Sequence, residues 1–464
     1  MGSRLKRQCL TVLITLWIIK PQTNAIENAR FTAAWDNFTK DPQLLHAAYS
    51  ITIFDNSTGN ITFSFNKDLG LSPASTMKTV TGAAALHYLG TDYRYKTMLQ
   101  YSGNINSFGI LNGYIYIVGS GDPSLGSWRW NETKGEVVME RWLNAIRSRG
   151  IKECRGVVVD LSAWSVETQT VPDGYPWGGL GNYYATGSSA LNWRENQFRI
   201  ILSPGSSVGD PVTLAGYENL PPSVTFTNEL VTGSPGSGDL ADVYLGPDCT
   251  HGYLRGSLGI DSPQNFSIGG AVPNSALFVA DELRQGMQWS NSMPIKIIYR
   301  SDEDLPKNRI TLDIHVSPPM SEIVYWFEQI SINMYGEVLI KTVAEKLNSS
   351  INRVLPTYCM SEHGIEQTAV ATRDGSGLSP QNRITTWAIV RVLHNVRERA
   401  PWFPSFERAL PMINGIRMKS GFISNVLSYS GYIHRQVFSI IINNYNGATS
   451  VMRQKIWNLL DTLK

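Results

Sequence analysis

Ser75 and Lys78 stand three residues apart, at the opening of the small-residue run 79–86. In a helix that spacing puts both side chains on one face, about one turn apart, where an amine can take a hydroxyl proton. The chemistry on offer is nucleophilic attack by Ser75 with Lys78 as its base. A free lysine has a pKa of about 10.4, so Lys78 must fall by roughly three units, about 4 to 5 kcal/mol, to act at neutral pH. Ser-x-x-Lys is common by chance, and Ser3 and Lys6 repeat it. Partners must therefore come from elsewhere in the chain.

Two more short patterns follow. Ser331-Ile332-Asn333 offers a hydroxyl and an amide two residues apart, although Ser102 with Asn104 and Ser350 with Asn352 have the same form. Lys419-Ser420-Gly421 has no second copy, and it lies between two alternating runs. Residues 205–209 match the G-x-S-x-G form of a nucleophile elbow. The stretch 211–214 stands where such an elbow needs a helix, so we read it as a turn.

The elements that must position these residues are legible in the periodicity. Residues 49–54 and 61–65 alternate as a β-hairpin, Pro73 ends the extended part, and Ser75 opens a helix whose unpaired N–H groups favour developing negative charge. Residues 97–305 read as mostly β, with runs at 113–118, 156–160, 198–202 and 223–227 and helices at 136–149 and 276–286. Helical spacing returns at 321–329, 334–347 and 385–396. Strands then follow at 416–419, 426–433 and 436–444, with a closing helix at 449–464. This order predicts an α+β domain interrupted by a β-rich insertion of one or two subdomains. The predicted boundaries are 1–25, 26–96, 97–305 and 306–464.

Residues 1–25 carry Arg4, Lys6 and Arg7, an apolar run at 9–19 and a small-residue end at Ala25. That is the pattern of a signal peptide cleaved after Ala25, which predicts an exported product. Removing it deletes Arg4, Lys6, Arg7 and Lys20 and no acid, so the formal charge goes from +2 to −2. So balanced a surface argues against nucleic acid or an anionic membrane as partner. No later apolar run approaches the roughly 18 residues of a transmembrane helix. Cys154, Cys249 and Cys359 remain, an odd number without metal-ligand spacing, so we expect at most one disulfide and no catalytic thiol. None of the seven histidines stands at ligand spacing with another, which predicts no metal, and no cofactor is expected.

In this order and context, Ser75-x-x-Lys78, Ser331-x-Asn333 and Lys419-Ser420-Gly421 resemble the penicillin-recognising serine enzymes. Specifically, the chain resembles the D-alanyl-D-alanine carboxypeptidase/endopeptidase class with a large insertion between the first two motifs. These are the class C low-molecular-mass penicillin-binding proteins of serine peptidase family S13. Asp122-Pro123-Ser124-Leu125, Ser189-Ala190-Leu191 with Asn196, and the stretch 374–379 add to the resemblance. It covers essentially the whole mature chain and implies a transpeptidase-like domain, an antiparallel sheet flanked by helices.

The resemblance also implies roles. Ser75 would attack the carbonyl between two D-alanines, with Lys78 as base. Ser331 would relay a proton to the leaving amine, and Asn333 would orient Lys78 and the substrate amide. Lys419 and Ser420 would hold the terminal carboxylate, Gly421 would allow close backbone approach, and the N–H groups of Ser75 and Phe422 would form the oxyanion hole. Two departures stand out: Ser420 replaces the commoner threonine, and Gly178 and Gly179 follow Trp177 where diaminopimelate-reading members often carry an acid. Asp374 reads as a turn-former and Glu337 as structural, while Trp128 and Trp130 read as packing in the insertion.

The expected protein is thus a bacterial, periplasmic serine-type D-Ala-D-Ala carboxypeptidase acting on peptidoglycan stem peptides and acylated by β-lactams. Cutting of D,D cross-links is left open, as is oligomeric state. The rival readings are a β-lactamase-like hydrolase and a non-catalytic cell-wall-binding protein.

Overall fold

The computed structural model describes residues 22–464 apart from 167, 300–305 and 307. Residues 1–21, most of the expected signal peptide, lie outside the described residues.

The part of the chain that carries Ser75 and Lys419 is built on a six-stranded antiparallel sheet. Its order is Met412–Ile413, Ile416–Ile423, Val426–Ile433, Gln436–Asn443, Ala48–Asp55 and Asn60–Phe65. The expected early hairpin and late strands therefore meet in one sheet, with Ile51 opposite Ile440 across the join. Strands Val426–Ile433 and Gln436–Asn443 are buried almost throughout, because helices cover both faces. On one face Phe31 and Trp35 of helix Gln22–Phe38 pack with Met452 and Ile456 of helix Thr449–Leu460. On the other lies Met77–Leu89, whose residues 77–86 are all buried, wrapped by Met320–Gln329, Asn333–Leu347, Ile351–His363 and Thr386–Arg399. Helix–helix and helix–sheet contact on all sides explains why Met77–Leu89 needs no polar face.

Helix Ile351–His363 escaped the periodicity reading. Pro356 lies in its interior, where the missing N–H penalises helix. Burial of Val354, Leu355, Tyr358 and Cys359 outweighs that cost.

The chain between the first two motifs forms a mixed five-stranded sheet. Its order is Ile295–Ile298, Glu153–Asp160, Ile110–Val118, Lys96–Ile105 and Ile310–Val316, so the chain enters and leaves by adjacent antiparallel strands. Helices Gly135–Ser148 and Ser275–Gly286 pack on it through Trp142, Ile146, Val279 and Leu283. Nested within are three small sheets, among them an antiparallel set with Gln197–Ser203 between Thr213–Glu218 and Phe266–Ala271. Residues 205–209 form the exposed turn between Gln197–Ser203 and Thr213–Glu218, with Gly209 at φ 94°, and no helix follows. Cys154, Cys249 and Cys359 are free thiols; no disulfide forms among the described residues.

Candidate active site

Ser75 sits in a strained approach to its helix. Ala74–Thr76 forms a short 3-10 turn, with Ala74 at φ 47°, a conformation that L-residues rarely adopt. Three contacts hold it there. Ser428 Oγ donates to Pro73 O at 2.6 Å, Thr76 Oγ1 donates to the same carbonyl at 2.7 Å, and Ser428 and Thr76 hydroxyls lie 3.1 Å apart. Gly421, on the neighbouring strand, touches the same turn. A Cβ there would lie 2.7 Å from Pro73 O and 2.8 Å from Ser75 N, so only glycine lets the strand approach.

Lys78 is fully buried and surrounded by three acceptors. Its Nζ lies 2.8 Å from Ser75 Oγ, 2.6 Å from Asn333 Oδ1 and 2.7 Å from Ser376 O. Burial, and then the Lys419 ammonium, push its pKa down to about 7, against the opposing pull of Glu328, Asp374 and Glu337. This matches the fall of roughly three units that a lysine base requires. Lys419, 2% exposed, is itself lowered by burial, with Glu328 acting in the other direction.

Of the three Ser-x-Asn stretches, the fold brings 331–333 to Lys78, through Asn333. Ser102 and Asn104 lie in strand Lys96–Ile105, and Asn352 is exposed at the start of Ile351–His363. Asn333 opens helix Asn333–Leu347; its Oδ1 accepts from Lys78, while its Nδ2 donates to Tyr184 O at 2.7 Å. Ser331 precedes it in the half-buried turn, at φ 62°. On strand Ile416–Ile423, Lys419 and Gly421 are buried, Ser420 is half-buried and Phe422 is exposed. Met412–Ile413 pairs with Arg417 and Ile416, and Met418 N donates to Pro411 O at 3.0 Å, so the outer edge of that strand is open beyond Met418.

Several residues of the site were not singled out by spacing. Asp374 does act as a turn-former: its carboxylate accepts from the N–H groups of Ser376, Gly377 and Ser379 and from Asn382 Nδ2. Glu337 does more than fill space. It accepts from Gly375 N at 3.2 Å, Ser376 N at 3.1 Å and Tyr175 Oη at 3.1 Å, and so fixes the loop whose Ser376 carbonyl holds Lys78. Its position four residues after Asn333, on the same helical face, is the sequence signal that was available. Glu328, fully buried, has no signal of this kind.

The inserted half reaches the site from the far side. Tyr184 supplies the carbonyl that Asn333 uses, and Trp177, 72% exposed, stands on the turn Trp177–Gly179. Glu195, fully buried, accepts from Ser127 Oγ, from Arg129 in two places and from Tyr335 Oη at 3.0 Å, the last on the helix of Asn333. Among the described residues no group of three or more His, Cys, Asp or Glu is placed to hold a metal ion.

A helix-flanked antiparallel sheet that brings Ser75 with Lys78, Asn333 and Lys419 together defines the penicillin-recognising serine hydrolase fold. The profile of the D-Ala-D-Ala carboxypeptidase 3 (S13) family matches residues 31–463. A D-alanyl-D-alanine carboxypeptidase of an Actinomadura species is 25% identical over 461 residues, 89% of this chain and 80% of the relative. A penicillin-sensitive carboxypeptidase A of Dictyostelium discoideum is 22% identical, over 74% of this chain and 67% of its own. Penicillin binding protein 4 of Haemophilus influenzae has a similar fold. Its TM-score is 0.76 at 19% identity, covering 92% of this chain and 98% of that one, and it has also been solved with a β-lactam bound. This chain belongs to the D-Ala-D-Ala carboxypeptidase 3 (S13) family and is a serine peptidase, a hydrolase.

Proposed function

We propose that this protein is exported and removes the terminal D-alanine of peptidoglycan stem peptides through an acyl-enzyme on Ser75. The observation that carries the reading is the environment of Lys78 Nζ. A neutral amine has two N–H bonds and one lone pair; Asn333 Oδ1 and Ser376 O take the two donors, which leaves the lone pair facing Ser75 Oγ at 2.8 Å. Lys78 takes the Ser75 proton as Oγ bonds to the carbonyl carbon, and the oxyanion forms against the N–H groups of Ser75 and Phe422. The proton then passes by way of Ser331 to the leaving nitrogen, the C–N bond breaks, and D-alanine departs. Water later cleaves the ester.

The substrate's carboxylate meets the cationic end of the site, Lys419 with Ser420. The peptide lies extended along the open edge of Ile416–Ile423, where unpaired backbone groups accept an added strand. The turn Trp177–Gly179 sets glycines beside the exposed Trp177, so it offers an aromatic face and no carboxylate of its own to the stem-peptide side chain. Cutting of cross-links uses the same acyl step with a larger leaving group. We assign the signal peptide to 1–25, the catalytic domain to 26–96 and 306–464, and the inserted unit to 97–305, with strand Ile310–Val316, just past the second boundary, completing the inserted unit's sheet beside Lys96–Ile105. No helix among the described residues is long and apolar enough to cross a membrane.

The test is intact-mass spectrometry with penicillin, on the wild type and on Ser75→Ala. A single lasting adduct on the wild type alone is the expected result. An adduct lost within seconds would turn the reading to a β-lactamase. No adduct would turn it to a non-catalytic cell-wall binder.

A further inference from the structure

Helix Met320–Gln329 turns Met320, Ile323, Val324 and Phe327 into the core. Glu328, four residues after Val324, continues that buried stripe, at a position where a leucine or methionine would ordinarily sit. Its side chain is fully buried, and neither carboxylate oxygen has a hydrogen-bond partner. The room for it is made by Gly82, one helical turn beyond Lys78: a Cβ on Gly82 would lie 2.9 Å from Glu328 Oε1. The carboxylate therefore packs against the face of helix Met77–Leu89 that carries Lys78.

Three acids act on Lys78: Glu328, Asp374 and Glu337. Two of them are occupied. Asp374 is bound by three backbone N–H groups and Asn382, and Glu337 by two backbone N–H groups and Tyr175. Glu328 has no hydrogen-bond partner; burial pushes its pKa up to about 7, and the charges that pull it back down are the ammonium groups of Lys419, on the sheet, and Lys78, on the helix. An unpaired carboxylate is costly in such a place unless opposite charge answers it.

We propose that Glu328 is a positioning residue of the acylation site, whose buried carboxylate, seated on Gly82 one turn from Lys78, supplies the negative charge that apportions protons between Lys78 and Lys419. This rests on the reading of Ser75 as the acylated nucleophile. With Glu328 ionised the three groups carry one net positive charge; without it the two lysines face each other uncompensated. The negative charge favours the protonated form of both lysines, so removing it lowers both pKa values. Acylation needs Lys78 neutral and Lys419 protonated. The acid limb of the pH profile reports the first and the alkaline limb the second, as apparent values of the coupled cluster.

The experiment measures the second-order rate of acylation by benzylpenicillin from about pH 5 to about pH 10 for the wild type, Glu328→Gln, Glu328→Met and Glu328→Asp. Both neutral variants should move both limbs toward acid by about one unit, with Glu328→Asp returning toward the wild-type profile. Methionine adds no buried amide, so the measurement survives if the glutamine variant folds poorly. Limbs that stay in place while the rate falls at every pH would make Glu328 a packing residue and overturn the proposal. A wild type that forms no adduct at any pH would instead overturn the acyl-enzyme reading, and this inference with it.

Discussion

Replacing Gly421 by alanine presses one methyl group into the turn that carries Ser75. The new Cβ would lie 2.7 Å from Pro73 O and 2.8 Å from Ser75 N, and closer still to Ser428 Oγ. The turn cannot retreat easily, since Pro73 O is already gripped by Ser428 and Thr76, and Gly377 presses against Ala74 O from the other side. Overpacking of this kind costs about 1–3 kcal/mol of stability. The larger effect falls on the rate. Displacing the Ser75 N–H from the oxyanion's place forfeits one donor, roughly 3–4 kcal/mol of barrier, or about 10²- to 10³-fold in acylation. The assay is the rate of labelling by a fluorescent penicillin, with thermal unfolding of the same samples to separate lost folding from lost chemistry. The double variant Gly421→Ala with Ser428→Ala removes the nearest obstacle but leaves Pro73 O and Ser75 N, so it should recover only part of the rate. A single variant within about threefold of wild type, or full recovery in the double, would refute the claim that Gly421 exists to seat the nucleophile turn.

Other outcomes follow from the same geometry. Lys78→Arg retains the charge but stays protonated, so penicillin labelling should fall by about 10²- to 10⁴-fold; intact mass reads it. Glu195→Gln leaves Arg129 buried beside a neutral amide and should cost about 3–5 kcal/mol in denaturant unfolding, with no change expected if the pair were solvated. His363, 7% exposed, has its pKa pushed down to about 4 by burial and by nearby His87, Arg399 and Arg391. Between about pH 6.5 and about pH 4 the unfolded chain therefore binds a proton that the folded one refuses, and stability is lost as pH falls, by up to about 3 kcal/mol. His363→Leu should flatten that slope in unfolding curves taken across the window.

What spacing revealed, and what it hid, divides along a physical line. Ser75 and Lys78 were legible because their relation is local, one helical turn, and the Lys419-Ser420-Gly421 run because an alternating pattern announces its strand. The choice among three Ser-x-Asn stretches was not local. It was decided by which helix packs beside Met77–Leu89, and the resemblance of the three motifs in order supplied what periodicity could not. Glu337 was read as structural, but what it holds was not legible, since its work is done on a loop some forty residues further on. Glu328 was hidden outright, because a glutamate on an amphipathic helix reads as surface until the partner helix, with its Gly82 gap, is in view. Helix Ile351–His363 was lost to Pro356, a local penalty that tertiary burial overrode.

Arg194, Glu195 and Asn196 hold three successive left-handed conformations, with φ of 52°, 54° and 53°. Non-glycine residues avoid that region, and a run of three persists only where the surroundings enforce it. Its product is the placement of one carboxylate, which the Tyr335 hydroxyl meets from the catalytic helix. The inserted segment is consequently a poor candidate for surgical excision. A shortened chain that kept every motif residue would strip Tyr335 of its acceptor and Asn333 of the Tyr184 carbonyl together, and would disturb the amide that steadies Lys78. Gene architectures that trim or swap this segment must carry a substitute for both contacts, and a search for minimal versions of the enzyme should begin from those two atoms.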